Sequence, residues 1–308
     1  MQFRQLGKDG PRIPVIGLGA WPFGGGMGRV EEKAVIDTVR EAIDCGINLI
    51  DTAQMYRSSE KRLGKALKDG YRRRCFLATK VSGDYSKVGI IAAIENSLKQ
   101  LAVDYVDLYQ IHGWAPEYPI DESMETMLRL QEEGKTRYIG VSNFNADQMQ
   151  EAWNTAPFHS NQPRYNMIDR EIESEDIPYC ERTGIGILAH SPLAKGLLTG
   201  HYKPGHQFPK DDDRRERGRF QGETFARFLN LADAFKQVAN DKGITLVQLA
   251  IAWILRRPTI TCVLVGAKSK DQMKEHLGAV GVEFNKDELA RIEAACRALP
   301  KEVLCTYP

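Results

Sequence analysis

Four short apolar runs in this 308-residue chain each stop on a residue able to move a proton or grip a polar ligand. Ile47-Asn48-Leu49-Ile50 stops at Asp51, Cys75–Thr79 at Lys80, Val106–Ile111 at His112, and Tyr138–Val141 at Ser142-Asn143. Between them lie stretches with apolar residues at helical spacing, such as Val35, Ile36, Val39, Ala42 and Ile43. Strands alternating with helices demand a parallel sheet, because parallel neighbours need a long crossover between them. Polar residues at several strand ends then converge on one site, as at the C-terminal face of an eight-stranded barrel.

The remaining strand candidates are Val15–Leu18, Ser160–Tyr165, Gly186–Ala189 and Cys262–Val265, which brings the count to eight. Helices are expected over Glu31–Cys45, Ser59–Leu67, Val88–Leu101, Asp121–Glu133, Asn145–Trp153 and Glu173–Arg182, with Asn145 as an N-cap. The fold class is therefore α/β, a (β/α)8 TIM barrel in one domain spanning 1–308. An N-terminal β-hairpin turning at Lys8-Asp9-Gly10 is placed to plug the barrel, and an extra C-terminal helix covers Lys286–Leu299. The polar segment 200–222 is too long for an ordinary connection and reads as a flexible loop. Within it, Asp211–Arg217, Lys203 and Arg219 read as solvated charge, and Gly24-Gly25-Gly26 as a flexible pocket wall.

A net charge of +1, with 27% charged residues, argues against nucleic-acid or membrane-surface partners, which need a concentrated basic field. The N-terminus lacks a signal-like apolar stretch, and no apolar run reaches the ~20 residues that span a bilayer. The six cysteines form no CxxC pair and read as reduced, mostly buried thiols of a cytoplasmic protein, with no metal site. The oligomeric expectation is a monomer or weak homo-oligomer.

Asp51, Tyr56, Lys80 and His112 suit one piece of chemistry. A phenol is a poor acid at neutral pH, and a neighbouring ammonium lowers its pKa. The ammonium needs a counter-ion in a dry pocket, which Asp51 supplies. A neutral imidazole can hold a carbonyl oxygen while the phenol protonates it. Nothing here pairs a nucleophile with a base, so the partner reaction is hydride delivery from a nicotinamide.

Gly17-Leu18-Gly19-Ala20-Trp21, Asp51-Thr52-Ala53, Tyr56, Lys80, the block Gly134–Asn143 and Ser191-Pro192-Leu193 together resemble the aldo-keto reductase superfamily, in order and along essentially the whole chain. The resemblance implies an oxidoreductase that interconverts aldehydes or ketones and alcohols, sugars included, using NADP(H) bound without a Rossmann domain. It implies Tyr56 as general acid, His112 as the carbonyl holder, and Lys80 with Asp51 tuning Tyr56. It also implies cofactor contacts from Gly19, Ala20, Trp21 and Asp51, and from Ser142, Asn143 and Gln162 at the carboxamide. The loop His190, Ser191, Pro192, Leu193, Lys195, Gly196 and Leu197 would wrap the nicotinamide and pyrophosphate. Gly266 would contact the cofactor, Lys268 would face the 2′-phosphate, and Gln272, Glu275 and His276 the adenine. The substrate pocket would comprise Trp21, Tyr56, His112 and Trp114. Departures from the pattern are His190 where a larger aromatic is usual, His276 where Asn is common, and, at the pocket rim, the short stretch Arg57-Ser58-Ser59-Glu60 after Tyr56 together with Gly113 between His112 and Trp114. The same barrel also serves as a non-catalytic, nucleotide-sensing regulatory subunit of ion channels.

Overall fold

The computed structural model describes residues 1–299. Its centre is a closed barrel of eight parallel strands. They are β3 (Ile16–Gly19), β4 (Leu49–Asp51), β5 (Phe76–Val81), β6 (Val106–Ile111), β7 (Thr136–Ser142), β8 (Ser160–Gln162), β9 (Gly186–Ala189) and β10 (Ile260–Gly266), with β10 closing on β3. The hairpin β1 (Phe3–Gln5) and β2 (Arg12–Pro14) pairs Phe3 with Pro14. Leu6 and Ile13, on either side of its turn, pack with the inward-facing Leu49, Ala78, Leu108, Leu188 and Cys262. The hairpin thus fills the end of the barrel opposite the strand C-termini, as its position ahead of the first barrel strand suggests.

Outside the strands run α1 (Glu32–Asp44), α2 (Ser59–Ala66), α3 (Lys87–Leu101), α4 (Ile120–Glu132), α5 (Ala146–Thr155) and α6 (Asp176–Thr183). Asn145 caps α5 in a full capping box with Gln148. Two boundaries move by three residues from the expected ones. The sixth barrel strand stops at Gln162, because Pro163 has no N–H to continue the ladder. The following helix starts at Asp176, after a 3-10 turn over Glu171–Glu173.

Two helices, α7 (Gly222–Asp241) and α8 (Leu246–Leu255), fill a stretch to which the sequence reading assigns no element. In α8 every side chain but Gln248 is buried, so it has no polar face and no helical period to read. In α7 the stripe Phe225, Phe228, Leu229, Ala232, Phe235 was legible. No single helix among the described residues is long and apolar enough to cross a membrane, and α7 and α8 meet at 87°. Helix α9 (Lys270–Leu277) follows the last strand, and α10 (Lys286–Arg297) is the extra C-terminal helix. Cys75, Cys180 and Cys262 are buried, Cys45 and Cys296 partly so, all as thiols; Cys305 lies outside the described residues.

In the 200–222 segment Lys203, Asp211, Arg215 and Glu216 are exposed, as expected of solvated charge, but Asp212, Arg214 and Arg219 are buried. Asp212 and Arg214 are buried as a side-chain ion pair, and Arg214 packs over the Tyr202 and Phe208 rings. Arg219, 2% exposed, pairs with the equally buried Asp169 at 2.7 Å. An isolated charge run does not reveal that its partner lies fifty residues away. Arg219→Ala would leave the buried Asp169 carboxylate without that ion pair, with Asn166 and the more distant Arg164 still beside it. We expect a loss of about 3 kcal/mol in chemical denaturation, with Arg219→Lys recovering part of it. A change below ~1 kcal/mol would mean that the pair does not anchor this segment.

Candidate active site

Each residue of the proton-moving group stands where strand geometry puts it. Asp51 ends β4, in register with Gly19 on one side and Ala78 on the other. Lys80 is the penultimate residue of β5 and points inward; its Nζ lies 2.6 Å from Asp51 Oδ1 and donates to the Thr52 carbonyl at 2.8 Å. Both side chains are buried. Gln162 Nε2 donates to Asp51 Oδ2 at 2.9 Å, so both carboxylate oxygens are engaged. Past β4 the chain follows the neighbouring strand's end, with Gln54 N donating to the Lys80 carbonyl, then turns at Ala53–Tyr56. That turn carries the Tyr56 ring to 5.1 Å from Lys80 Nζ, measured to its centroid. The Trp21 ring meets Tyr56 edge-on at 4.9 Å, and His112 meets it edge-on at 5.6 Å from the other direction.

The electrostatics follow from burial and charge. Burial opposes the Lys80 ammonium, but Asp51 and Tyr56 more than offset it and hold the pKa above the ordinary lysine value. Tyr56 is part-exposed at the cavity mouth, yet its phenol end is enclosed. Burial pushes the phenol upward, Lys80 pulls down, Asp51 pushes up, and the net direction is upward. The lowering expected from Lys80 alone is therefore outweighed by desolvation, which a sequence does not display. His112 is pushed down to about 2 by burial, with Lys80 and His190 adding to it, so its ring is neutral at any working pH. Its Nδ1 lies 2.8 Å from Ser82 Oγ. With that hydroxyl donating, the ring carries its proton on Nε2.

These side chains close one end of a cavity of about 540 Å³. Trp21, Tyr56, His112 and His190 wall that end; Ser191–Leu193, Lys195 and Gly196 run along one side; Gly266, Lys268, Gln272, Glu275 and His276 lie at the other. Gly19, Asp51 and Gln162 also reach the cavity. The other expected contacts, Ala20, Ser142, Asn143 and Leu197, do not line the cavity. Ala20 and Leu197 are buried. Ser142 Oγ donates to the Gln162 carbonyl at 2.8 Å, and Asn143 bridges His190 Nε2 (2.8 Å) and the His112 carbonyl (3.0 Å). Trp114 packs edge-on against Phe144 rather than on the cavity. Gly26 is no free hinge: a Cβ there would stand 2.9 Å from the Trp21 ring.

The cavity also takes Met27, Met55, Thr199, His201 and Tyr202, which the sequence reading did not single out, and Arg214, which it read as solvated charge. Three of them, His201, Tyr202 and Arg214, sit on the 200–222 segment, whose fold onto the barrel leaves no periodic trace. Lys268 donates to the Met27 carbonyl. Burial and Arg214 lower its pKa against the pull of Asp212 and Asp211. His276, 2% exposed, is pushed down to about 4 by burial, and its Nδ1 has no partner among the protein atoms. Among the described residues, no group of three or more His, Cys, Asp or Glu could hold a metal ion.

The model of the Aldo/keto reductase family matches residues 15–297. This chain belongs to that family. It is 37% identical to the aldo-keto reductase YhdN of Bacillus subtilis over 302 residues, 94% of this chain and 91% of that protein. It is also 32% identical to a probable voltage-gated potassium channel subunit beta of Oryza sativa subsp. japonica, covering 98% of each. The solved glycerol dehydrogenase of Gluconobacter oxydans superposes with a TM-score of 0.84 at 32% identity, over 95% of this chain and 94% of that one. The family supports oxidoreductase chemistry on a small molecule, within a fold whose relatives also include a channel subunit.

Proposed function

We propose that the protein is an NADP(H)-dependent reductase of aldehydes and ketones, able to run in reverse on alcohols or sugars. The reading rests on the buried Lys80–Asp51 pair set against Tyr56, with neutral His112 opposite, at one end of a cavity whose length carries Lys195, Arg214 and Lys268. Members of the family generally use nicotinamide cofactors, and the residues present fit one. Three cations line the wall where phosphates would lie, and the unpartnered Nδ1 of buried His276 faces the end expected to take a base.

Lys268 and Arg214 would hold the phosphates, and Gln272, Glu275 and His276 the adenine. His190, fixed by Asn143 and by Ser191 Oγ at 3.0 Å, would present its ring to the nicotinamide. A nicotinamide bound there supplies a hydride to the carbonyl carbon or removes one in reverse. His112 Nε2–H holds the carbonyl oxygen. Tyr56 gives that oxygen its phenolic proton, and Lys80 stabilises the phenolate left behind. Asp51 keeps Lys80 charged, and Gln162 keeps Asp51 oriented. Trp21 and Met27 cover the mouth and limit water.

An NADPH-oxidation screen over aldehydes, ketones, quinones and sugars, with the NADP+ direction alongside, tests the proposal. Tight NADPH binding with no turnover across that panel would favour a nucleotide-sensing regulatory role, the reading that the rice relative's name raises. Lys268→Ala is expected to weaken NADPH binding at least tenfold and NADH binding by less than about twofold, because a lost charge contact to the 2′-phosphate is worth roughly 1.5–3 kcal/mol. Equal losses for both cofactors would show that Lys268 does not read that phosphate.

A further inference from the structure

A neutral histidine ring has two nitrogens and one proton, and which nitrogen carries it decides what the ring can hold. A carbonyl oxygen only accepts hydrogen bonds, so a ring that holds one must keep its proton on Nε2 and leave Nδ1 bare. Nδ1 of His112 lies 2.8 Å from Ser82 Oγ. With Nδ1 bare, the group at that distance must donate. A hydroxyl can do so, whereas an alanine, a carboxylate or a main-chain carbonyl in its place could not.

Ser82 is held for this task from two directions. It lies two residues past Lys80, just beyond the end of β5. Its N–H donates to Gln54 Oε1 at 3.2 Å, and the Gln54 N–H donates to the Lys80 carbonyl at 3.1 Å. The turn that carries Tyr56 therefore also clamps Ser82. From the other side the buried Tyr85 sets its phenol against the backbone of Gly83 and Gly113, tying the loop after Ser82 to the loop after His112. Tyr85 is fixed in turn by Ser123 Oγ, which donates to its carbonyl at 2.8 Å, and by the edge of Tyr118 at 5.8 Å.

The backbone of His112 is pinned as well. Its N–H donates to the Val81 carbonyl at 3.2 Å, and its carbonyl accepts from Asn143 Nδ2 at 3.0 Å. The freedom that remains is rotation of the ring about its two side-chain torsions. The edge contact with Tyr56 at 5.6 Å bounds that rotation but does not tell one nitrogen from the other. The bond at Nδ1 does both. Ser82 itself does not line the cavity, so any effect it has on the reaction passes through His112.

We propose that Ser82 is the positioning residue of His112: its hydroxyl donates to Nδ1, fixes the ring plane and keeps the ring proton on Nε2, the atom that meets the substrate oxygen. The proposal rests on the reading of His112 as the carbonyl holder. Neither the Ser82 proton nor the ring proton is transferred, and Tyr56 remains the acid. The bond from Nε2–H strengthens as negative charge builds on the substrate oxygen. Loss of the correct ring form therefore falls on kcat more than on the binding of substrate or cofactor.

The test reads the ring directly, with long-range 1H–15N spectra of the whole protein labelled with 15N-histidine at neutral pH, and His112→Gln to assign its signals. The expected result is a proton on Nε2 of His112 and a bare, hydrogen-bonded Nδ1. In Ser82→Ala the Nδ1 signal should move to that of a bare nitrogen without a hydrogen bond, while His159 does not shift. A proton on Nδ1 in the wild type overturns the proposal, and that spectrum decides it however the variants fold. In aldehyde reduction Ser82→Ala should lower kcat about tenfold, the size of one lost hydrogen bond, with KM and the NADPH Kd within about twofold. Ser82→Thr keeps the hydroxyl and should recover most of the loss. A loss below about twofold in Ser82→Ala, or one that Ser82→Thr does not recover, also overturns the proposal. If the wild type reduces no carbonyl, the reductase reading fails by itself, and the spectrum still shows whether Ser82 fixes the ring.

Discussion

Tyr56→Phe is expected to lower kcat/KM for carbonyl reduction by about 10³-fold or more while NADPH still binds with little change, since general acid catalysis contributes roughly 10²–10⁴. The substitution removes one hydroxyl and leaves the ring, so the contacts with Trp21 and His112 survive and the cavity keeps its shape. No neighbour can replace the proton. His112 is held neutral far below working pH, and Lys80 is committed to Asp51 and the Thr52 carbonyl. The direction of the Tyr56 shift adds a second readout. A phenol pushed above its ordinary value stays protonated through neutral pH, so reduction should be flat there and fall only in strong base. Alcohol oxidation needs the phenolate and should rise with pH over the range in which reduction is still flat. Carbonyl reduction retained in Tyr56→Phe, or the same pH profile in both directions, would remove Tyr56 from the role of acid.

What could be read in advance divides along physical lines. The barrel was legible because each β/α unit carries its own period, and because Asp51, Lys80, His112 and Ser142 punctuate strand ends whatever the loops do. The grouping of Asp51, Lys80 and Tyr56 was legible for the same reason, since adjacent parallel strands in register must bring their ends together. Two kinds of feature were not. Helix α8 is buried all round, so the amphipathic signal that reveals a helix is missing. The cavity wall built by Arg214, His201 and Tyr202 depends on pairings such as Arg214 with Asp212 and Arg219 with Asp169. Those are set by tertiary packing, and in the sequence they look like an ordinary solvated run. Desolvation is hidden in the same way, which is why the net shift of Tyr56 came out opposite to the effect of its nearest charge.

Lys80→Met should produce the largest stability loss of any single change at this site. Methionine fills a similar volume, so packing costs little. What remains is the Asp51 carboxylate, 3% exposed, without its cation. Breaking a buried pair from one side costs about 3–5 kcal/mol, whereas replacing both partners is often close to neutral. The Gln162 and Gln110 amides still reach Asp51 Oδ2, at 2.9 and 3.4 Å, which puts the expected loss at the lower end, about 3 kcal/mol. Asp51→Asn alone should also destabilise, by stranding the Lys80 ammonium. In the double variant Asp51→Asn/Lys80→Met neither position carries a charge, and the Asn carbonyl can still accept from Gln162. Most of the stability should therefore return, giving a favourable coupling of at least about 2 kcal/mol in a double-mutant cycle. Turnover should not return, because the phenolate of Tyr56 has lost the ammonium that stabilises it. Additive stability losses would mean that the pair is not coupled in the folded protein. Recovered turnover in the double variant would mean that Lys80 is a structural partner of Asp51 and not part of the acid.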